Sequence, residues 1–588
     1  MNMTFKTAVL ALCSTLISLA VAAQFDSKTK TLDISAYINK YGTPNDISPA
    51  VVKALADCKR LGAKKLVFPK NTYKFRPDSL KKFMSYVSNH GDYVRCFAFD
   101  LTGQENLVID GQGSQFLFKG YVCPFYVNHA KGITLQDFSV DFERTFHSEG
   151  HILEVTEDFA DVEFGKEYPY YVDEKKHLRC VDDEGVEYPW YYLLEFDPQR
   201  QETAYDRGDQ WTGMNIECED LGNGRVRLNR KGLKGTPGNV YSFGIAYRKV
   251  PGITIADSRD VNIQRVTLYH AGGMGVIAQR SANLLIDGLQ IVPAPGKDRM
   301  VSVAADATHF VNCSGYLRMY NCTLRNQTDD ATNIHGVYYR IADVLTDNRI
   351  FVELANDAQY GFDYLKPGLK LEFVNAQSLV TYAYGSVKSV YAVNDRKYMV
   401  TLSSAIPDSV KAGDAIAGCS EYPDVHIKGC YFGQNRARGL LLGSRSRMLL
   451  EENTFHTPGA AILMEGDARG WFEQGGVRNV IIRNNTFDNC SYANGRWDNG
   501  VICCGSGIDQ KYWPISYYNR NVLVENNKFI IHRAPLVRLY SVDGFTWRNN
   551  IVQTDDTKYP CQVDKANLDA LMQFWSCKNV NCDPIELK

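Results

Sequence analysis

The feature that most constrains this chain is a short β-rich repeat with a period of 23 residues. Ile286 follows Ile263 by 23 residues, and Leu450 follows Ile427 by the same step. Each position lies in a short apolar, β-branched run that ends at an asparagine or glycine turn. One such coil cannot bury its own apolar face, so stacked coils must share a continuous core. The repeat therefore predicts an all-β fold, a parallel β-helix.

Two stretches interrupt the repeat. Residues 143–245 and 337–420 contain short segments typical of antiparallel strands. Loops of this length rarely lack structure of their own, so we predict two inserted β-barrel-like subdomains. The remaining sequence after the N-terminal segment divides into a cap with the first coils (24–142), further coils (246–336), and the C-terminal coils and tail (421–588).

A helix is predicted near the start of the chain, where it would cover the first coil. Ser48 is expected at the N-cap and Pro49 at the first helical position. Apolar residues recur at helical spacing from Val51 to Leu61. A helix at this position would cover the open edge of the sheet and limit aggregation.

The N-terminus and the overall charge bear on location and partners. Residues 1–23 resemble a secretory signal, with an apolar run between Lys6 and the small pair Ala22-Ala23. The run is too short to predict a membrane span, so we expect an exported protein, either periplasmic or secreted. The formal net charge of −2 gives no support for a nucleic-acid partner.

The cysteines do not indicate a metal site. Removing Cys13 with the signal segment leaves 15 of the 16 cysteines, so at least one is free or pairs between chains. The sequence contains no pair of Cys-x-x-Cys units and no histidine-rich cluster. We therefore predict no metal and no cofactor.

Three aspartates predict the chemistry. Asp329 and Asp330 are adjacent, and Asp306 lies 23 residues before Asp329, which is one repeat earlier. Positions one period apart fall near each other on the wall of a solenoid. Glycoside hydrolysis needs one carboxyl group to protonate the leaving oxygen, and inverting enzymes need another to activate water. We predict that this trio forms a sugar-cleaving site; the alternative is a polar turn that ends a coil.

Further candidates come from aligning the coils on their glycines. The alignment places His335 and Glu465 at matching wall positions and Arg436 level with Asp329. Trp471 offers a flat apolar ring on which a sugar can stack. Exposed solenoid residues or coil-to-coil ion pairs are the plain alternative for each. The candidate substrate-binding residues are His335, Arg436, Arg438, Glu465, Asp467 and Trp471.

Three segments carry a resemblance to a known family. They are Met300-Val-Ser-Val-Ala-Ala-Asp306-Ala-Thr-His309, Gln327-Thr-Asp-Asp-Ala-Thr-Asn-Ile-His335-Gly336 and Asn435-Arg-Ala-Arg-Gly-Leu-Leu-Leu442. In these segments the chain resembles glycoside hydrolase family 110, the exported α-1,3-galactosidases of gut and marine bacteria, and most of all its Bacteroides-type members. The resemblance covers nearly the whole chain after the signal segment.

The resemblance implies a fold, an activity and roles for the trio. The implied fold is a right-handed parallel β-helix with two inserted barrels, and the implied assembly is a homodimer. The implied activity is exo-acting, inverting removal of terminal α-1,3-linked galactose from branched blood-group-B-type glycans and from linear ends. Transferred by motif, Asp329 would be the general acid, while Asp306 and Asp330 would hold and activate the water.

Two other functions remain open from the sequence. A polygalacturonase-like pectin hydrolase also places aspartates and a histidine on a β-helix, and it needs a basic groove for uronate carboxylates. Arg436, Arg438 and Arg445 leave that reading open. A non-catalytic glycan-binding β-helix is the other alternative, and it predicts saturable binding without release of sugar.

Overall fold

The computed structural model describes residues 25–245, 247–494 and 497–588. The predicted signal segment, residues 1–23, lies outside the described residues. Within them, strands from successive coils pair in parallel over most of the chain and enclose one continuous apolar core. The parallel β-helix predicted from the repeat is therefore confirmed.

One face of the helix, here called the site face, carries the candidate residues. It is a stack of parallel strands, one from each coil. The strands are Gly91–Asp100, Cys123–Asn128, Ile253–Ala256, Val276–Gln279, Thr308–Val311, Thr332–Val337, Leu440–Leu442, Ile462–Met464, Ile502–Cys504, Val537–Tyr540 and Met572–Trp575. Lys82–Val87 pairs with the first of them as an antiparallel hairpin, and Glu473–Gln474 pairs antiparallel with Thr332–Val337.

The other two faces form one sheet, because three long strands continue from one face to the next. These strands are Val108–Phe118, Lys131–Phe142 and Arg259–Leu268. The second face adds Thr31–Asp33, Lys65–Val67, Ala282–Asp287, Ser314–Tyr320, Asp424–Lys428, Arg447–Glu451, Asn479–Arg483, Asn519–Glu525, Val542–Arg548 and Lys578–Cys582, with Phe25–Asp26 antiparallel at its edge. The third adds Thr72–Phe75, Gln290–Ile291, Thr323–Arg325, Tyr431–Gly433, Thr454–His456, Thr486–Asp488, Lys528–Ile531 and Ile551–Thr554.

The two stretches that lack the repeat fold as antiparallel units with their own cores. Insert I contains an eight-stranded sheet and a two-stranded hairpin. Its strands are Ser148–Val155, Ala160–Phe164, Tyr170–Val172, Leu178–Cys180, Trp190–Asp197, Glu202–Thr203, Gln210–Trp211, Glu217–Gly222, Arg225–Asn229 and Val240–Ile245. Insert II is a closed six-stranded barrel. Its strands are Tyr339–Thr346, Arg349–Glu353, Lys370–Val374, Thr381–Ala392, Lys397–Leu402 and Ala415–Gly418.

The described residues contain two α-helices, Ser35–Tyr41 and Ser48–Leu61. The prediction of Ser48 as N-cap was wrong by one residue. Ile47 occupies the N-cap, and the Ser48 hydroxyl instead donates to the carbonyl of Arg76 at 3.1 Å. Short 3₁₀ turns lie at Asp357–Gln359, Gln510–Tyr512 and Leu568–Leu571. Neither helix of the described chain is long and apolar enough to cross a membrane.

Aromatic stacking holds the C-terminal coils together from inside. Ring centroids of Phe455 and Phe487 are 4.9 Å apart, and those of Phe487 and Phe529 are 4.5 Å apart. Trp547 continues the column at 4.9 Å from Phe529. All 15 cysteines of the described residues are free thiols, so packing and hydrogen bonds join these coils without disulfides.

An asparagine ladder supports the same coils at one corner. Asn485 Oδ1 accepts the backbone N–H of Asn453 at 2.9 Å, and Asn527 Oδ1 accepts that of Asn485 at 2.9 Å. Asn550 extends the ladder by the same contact to Asn527. The preceding residue, Asn484, has a φ of 55° and forms the turn. These asparagines are therefore turn and ladder residues of the coils.

Replacing Asn485 with alanine should destabilise the C-terminal coils. Asn485 is buried, and its loss leaves the backbone N–H of Asn453 without its acceptor. We expect a loss on the order of 2–3 kcal/mol, measured by chemical unfolding followed by circular dichroism. Asn484→Gly is the matched control, because glycine adopts a positive φ without strain. Equal stability of the two variants would show that the ladder does not support the coils.

Candidate active site

The coil register decides which acids are neighbours. On the site face Thr308 pairs with Thr332, 24 residues later, which is one more than the general repeat. Asp306 therefore comes level with Asp330, and Ala307 donates its N–H to the Asp330 carbonyl at 3.0 Å. Asp329, which the 23-residue period had matched with Asp306, lies one position earlier.

Asp329 is held by two arginines. Arg248, from the segment that follows insert I, donates to Oδ2, and Arg436 donates to Oδ1 at 2.8 Å. Burial opposes ionisation, but the guanidinium groups of Arg436 and Arg248 outweigh it and keep the pKa of Asp329 below its usual value. These two contacts therefore favour the carboxylate form of Asp329.

Asp330 is held by a single arginine from the next coil. The guanidinium of Arg438 contacts both carboxylate oxygens, at 2.9 Å and 3.0 Å, and its backbone N–H donates to Oδ1 at 3.0 Å. Burial outweighs this stabilisation and raises the pKa of Asp330 to about 7. Asp330 therefore exchanges protons near neutral pH.

Asp306 contacts a histidine instead of an arginine. Its Oδ2 lies 2.6 Å from Nδ1 of His309, and Nε2 of His309 lies 2.8 Å from Nε2 of His335. Burial and the neighbouring Asp329 carboxylate raise the pKa of Asp306 to about 8. Burial also lowers the pKa of His309 to about 4. Both shifts favour the uncharged forms of this pair.

A glutamate closes the far side of the histidine pair. Glu473 Oε1 lies 3.5 Å from His335 Nε2 and accepts an amide N–H of Asn89 at 3.2 Å. Asn333 donates to its other oxygen at 3.3 Å. The Nε2 atoms of His309 and His335 and one oxygen of Glu473 lie within 4.8 Å of each other. Among the described residues, this is the group whose spacing a metal ion could bridge.

Insert I supplies the support for Arg436. Asp209 accepts two hydrogen bonds from this guanidinium, at 2.8 Å and 2.7 Å. The aromatic rings of Tyr192 and Trp497 also lie near the guanidinium group of Arg436, with ring centroids 5.7 Å and 5.5 Å from its central carbon. Such a fork-to-fork pair fixes the direction of the arginine, so insert I determines how Arg436 meets Asp329.

A buried asparagine fixes the backbone beneath these groups. The amide of Asn435 donates to the carbonyl of Asp329 at 2.9 Å and to the carbonyls of Arg436 and Arg438 at 2.8 Å each. One side chain thus joins two coils at the point where the acids and the arginines emerge.

The remaining predicted residues lie apart from the trio. Glu465 accepts hydrogen bonds from Tyr518 at 2.7 Å and from the Gly507 N–H at 2.9 Å. Asp467 accepts three backbone N–H groups of its own loop, so both acids hold loops in place. Trp471 is 55 % exposed on the loop that also carries Glu473. The coil register sets His335 and Glu465 at matching positions, but the prediction that Arg436 is level with Asp329 was wrong by one residue, because Arg436 comes level with Thr328.

Several contributing residues have no signal in the sequence. Asp209 reaches the site from insert I, Arg248 from the segment that follows insert I, and Asn89 from the first hairpin. All three are far from the aspartates in sequence. Glu473 comes from a loop after the Trp471 position. His309 was the exception, since it stands three residues after Asp306 in the segment that carries the family resemblance.

The geometry supplies what glycoside hydrolysis requires. Three carboxyl groups meet on two adjacent coils, and their surroundings lower the pKa of Asp329 but raise the pKa of Asp306 and of Asp330. Neighbouring coils lie about 4.8 Å apart, so carboxyl groups that are offset along the strands can reach the wider separation that leaves room for a water molecule. A site with both a carboxylate and a protonated carboxyl group near neutral pH can act as an acid–base pair.

Comparisons with known proteins find similarity along most of this chain. Family models match residues 148–240 (GLAA-B beta-barrel domain I), 349–416 (GLAA-B beta-barrel domain II) and 413–563 (right handed beta helix region). A solved neighbour, the family 28 exopolygalacturonase of Yersinia enterocolitica, has a TM-score of 0.40 and 12 % identity and covers 94 % of this chain and 79 % of its own.

Two curated relatives span almost the whole chain. Alpha-1,3-galactosidase A of Shewanella woodyi is 33 % identical over 95 % of this chain and 91 % of its own length. Alpha-1,3-galactosidase B of Bacteroides thetaiotaomicron is 31 % identical over 94 % of this chain and 90 % of its own. Identity at this level along the β-helix and both inserts requires a shared fold and descent. The chain belongs to the family of bacterial α-1,3-galactosidases A and B, with a right-handed parallel β-helix and two inserted β-barrel-like subdomains.

Proposed function

We propose that this chain is an exo-acting α-galactosidase that hydrolyses terminal α-1,3-linked galactose with inversion of configuration. The observation that carries the proposal is the trio of aspartates on adjacent coils, each held by a different partner. The names of the relatives supply the substrate class, since they are α-1,3-galactosidases.

Enclosure of the trio supports exo action. Asn89 at the tip of the first hairpin contacts the histidine pair, and Asp209 of insert I holds Arg436. The loops that carry Glu473 and Asp498 approach from the other coils, and Asp498 lies 3.5 Å from Arg438. Segments on several sides favour a pocket for one sugar at a chain end over an open groove along a polymer.

We assign the acid role to Asp329, as the resemblance implies, and the water-holding role to Asp306 and Asp330. The two arginines keep Asp329 ionised in the ligand-free site, so the assignment needs a change on binding. Arg248 is the candidate for that change, because its side chain is 30 % exposed and it contacts the oxygen opposite Arg436. A leaving-group oxygen that replaces Arg248 at Oδ2 would raise the pKa of Asp329 when its proton is needed.

Trp471 is our candidate for stacking beyond the galactose, since its exposed ring is free to meet a sugar face. We propose that branched blood-group-B-type and linear α-1,3-galactosyl ends both serve as substrates. Arg436 and Arg438 orient the acids, whereas Glu465 and Asp467 shape the surrounding loops.

The pectin-hydrolase alternative loses its support in the structure. Its basic groove would need free guanidinium groups, but Arg436 is paired with Asp209 and Asp329. Arg438 is paired with Asp330, and Arg445 donates to the buried Glu372 at 2.7 Å. The positive charges that left this reading open are therefore neutralised within the protein.

We also propose export by the 1–23 segment and assembly as a homodimer. Tyr384 and Tyr391 of insert II are 70 % and 64 % exposed on one long strand, and we name them as candidates for contact with a second copy. N-terminal sequencing of the mature protein tests the export step, and sedimentation tests the assembly.

The stereochemical outcome is the first test. Proton NMR of the purified protein with galactosyl-α-1,3-galactose and with its fucose-branched counterpart should show β-galactose as the first product from both. Initial α-galactose would contradict inversion. Absence of galactose from both substrates would contradict the proposed function as a whole.

The second test concerns Arg248. Arg248→Met removes a cation beside Asp329 and should raise the pKa of this acid in the free enzyme. An acid must be protonated to act, so the alkaline limb of kcat/KM should move to higher pH. The limb of kcat should move less, because kcat reports the complex in which Arg248 is displaced. Arg248→Lys, which keeps the charge, is the control. Movement of the acidic limb instead would assign Asp329 as the base.

A further inference from the structure

A groove follows the corner of the β-helix at which the site-face strands end. Four coils each place one residue at this corner, directly after a site-face strand and level with its neighbours. These residues are His129, Asp257, Arg280 and Asn312, and their φ angles are 47°, 49°, 49° and 48°. Because coils lie about 4.8 Å apart, the row extends over roughly 14 Å along the axis of the β-helix.

Insert II forms the second wall of this groove. Two adjoining cavities, of about 260 Å³ and 410 Å³, lie between the corner and insert II. Lys366 of insert II and Glu421, which follows it, line both cavities together with Asp257 and Arg280. A cavity of several hundred Å³ at the junction of two folding units is a typical place for a small ligand.

The groove is separate from the catalytic site. Asp306 precedes its site-face strand, whereas Asn312 follows the same strand, so the two residues stand at opposite ends. The first hairpin covers the middle, where Ser88 accepts no sugar because its N–H meets Gln279 at 2.9 Å and its hydroxyl meets Gln359 at 2.6 Å. A galactose bound at the aspartates therefore leaves the groove free.

The larger cavity has an excess of positive charge. Its charged lining consists of two carboxylates, Asp257 and Glu421, and four cationic side chains, Lys131, Arg259, Arg280 and Lys366. Asp257 contacts the guanidinium of Arg280 through both oxygens at 2.7 Å. Glu421 lies 4.0 Å from Lys366. The formal net charge of the whole chain is −2, so this excess is a local feature.

The remaining two cations, Lys131 and Arg259, stand directly opposite each other on neighbouring coils. Both side chains are exposed. Glu105 is level with Lys131 on the preceding coil, yet within the described residues no carboxylate lies within 4.0 Å of either cation. Like charges directly opposite each other destabilise a sheet. An anionic ligand would remove this repulsion.

The rest of the lining can meet hydroxyl groups. Ser314 offers a hydroxyl in both cavities, and Glu421 offers a carboxylate beside it. The exposed ring of His129 contacts Asn128 through Nδ1 at 2.9 Å, which leaves Nε2 for a ligand. A ligand that fits donors, acceptors and free cations together carries both hydroxyl groups and a negative charge.

We propose that this groove is a second glycan-binding site, which takes a sugar residue that carries a carboxylate or sulfate group. The choice of a sugar rests on the proposed function, whereas its negative charge rests on Lys131 and Arg259. The site takes no part in bond cleavage. It would hold the enzyme on an acidic glycan, and this would raise the local concentration of nearby galactose ends.

A matched series of probes tests the ligand class by calorimetric titration of the unmodified protein. The probes are lactose, 3′-sialyllactose, lactose 3′-sulfate and sodium sulfate. At least one charged sugar should bind about tenfold more tightly than lactose, and added salt should weaken its binding. The tighter of the two identifies the preferred acidic group. No advantage over lactose, or equally tight binding of the sulfate ion, would overturn the proposal.

A double variant locates the binding. Lys131→Met with Arg259→Met should lower the affinity for the charged sugar about tenfold, to the level of lactose. The kcat for galactosyl-α-1,3-galactose should not change, because neither residue contacts the aspartates. Lys70→Met with Lys388→Met is the matched control, since it removes two exposed cations outside the groove. An affinity that falls equally in both double variants, or in neither, would contradict a site at this corner.

Thermal unfolding of the same variants separates a binding role from a structural one. Removal of two facing like charges should leave the Tm of the groove variant equal to or above that of its control. A lower Tm would show that these cations serve the fold and would overturn the proposal. Failure of the unmodified protein to release galactose would instead count against the proposed function, because binding of the charged sugar is measured independently of hydrolysis.

Discussion

Parallel hydrogen bonds between successive coils determine which side chains of this protein become neighbours. Asp306, Asp330 and Arg438 are far apart in sequence, yet they stand at the same level of three consecutive coils. Insert II separates the second of these coils from the third in sequence without changing their register. The core continues through the same coils, so the pairing that buries the apolar face also assembles the acids.

The repeat was sufficient to predict the fold and the trio. Alternation and asparagine turns repeat in the sequence, so both the β-helix and the asparagine ladder could be predicted from it. The register at the aspartates could not be predicted, because the coil there is one residue longer than the period. That one residue decides whether Asp306 lies level with Asp329 or with Asp330. The sequence also could not predict that Arg248 and Asp209 contribute to the site, because their positions depend on how insert I folds.

The acids differ because their neighbours differ, although all three are aspartates. Burying three carboxylates together without compensation would cost several kcal/mol for each charge. The protein avoids that cost in three ways: two cations contact Asp329, one cation contacts Asp330, and burial beside Asp329 raises the pKa of Asp306 and favours its uncharged form. Identical residue types can therefore serve distinct steps of one reaction, since environment rather than identity sets the proton affinity of each.

Insert I completes this charge balance. Arg436 meets Asp209 on one side and Asp329 on the other, while Arg248 adds a second positive charge, so two cations face two anions. Without Asp209 the four-charge group would carry an excess positive charge, and Asp329 would hold its proton still less readily. The β-helix therefore fixes the positions of the acids, but the insert adjusts how strongly Asp329 retains a proton. Changes in insert I can alter the pH range of such a site without moving any of its aspartates.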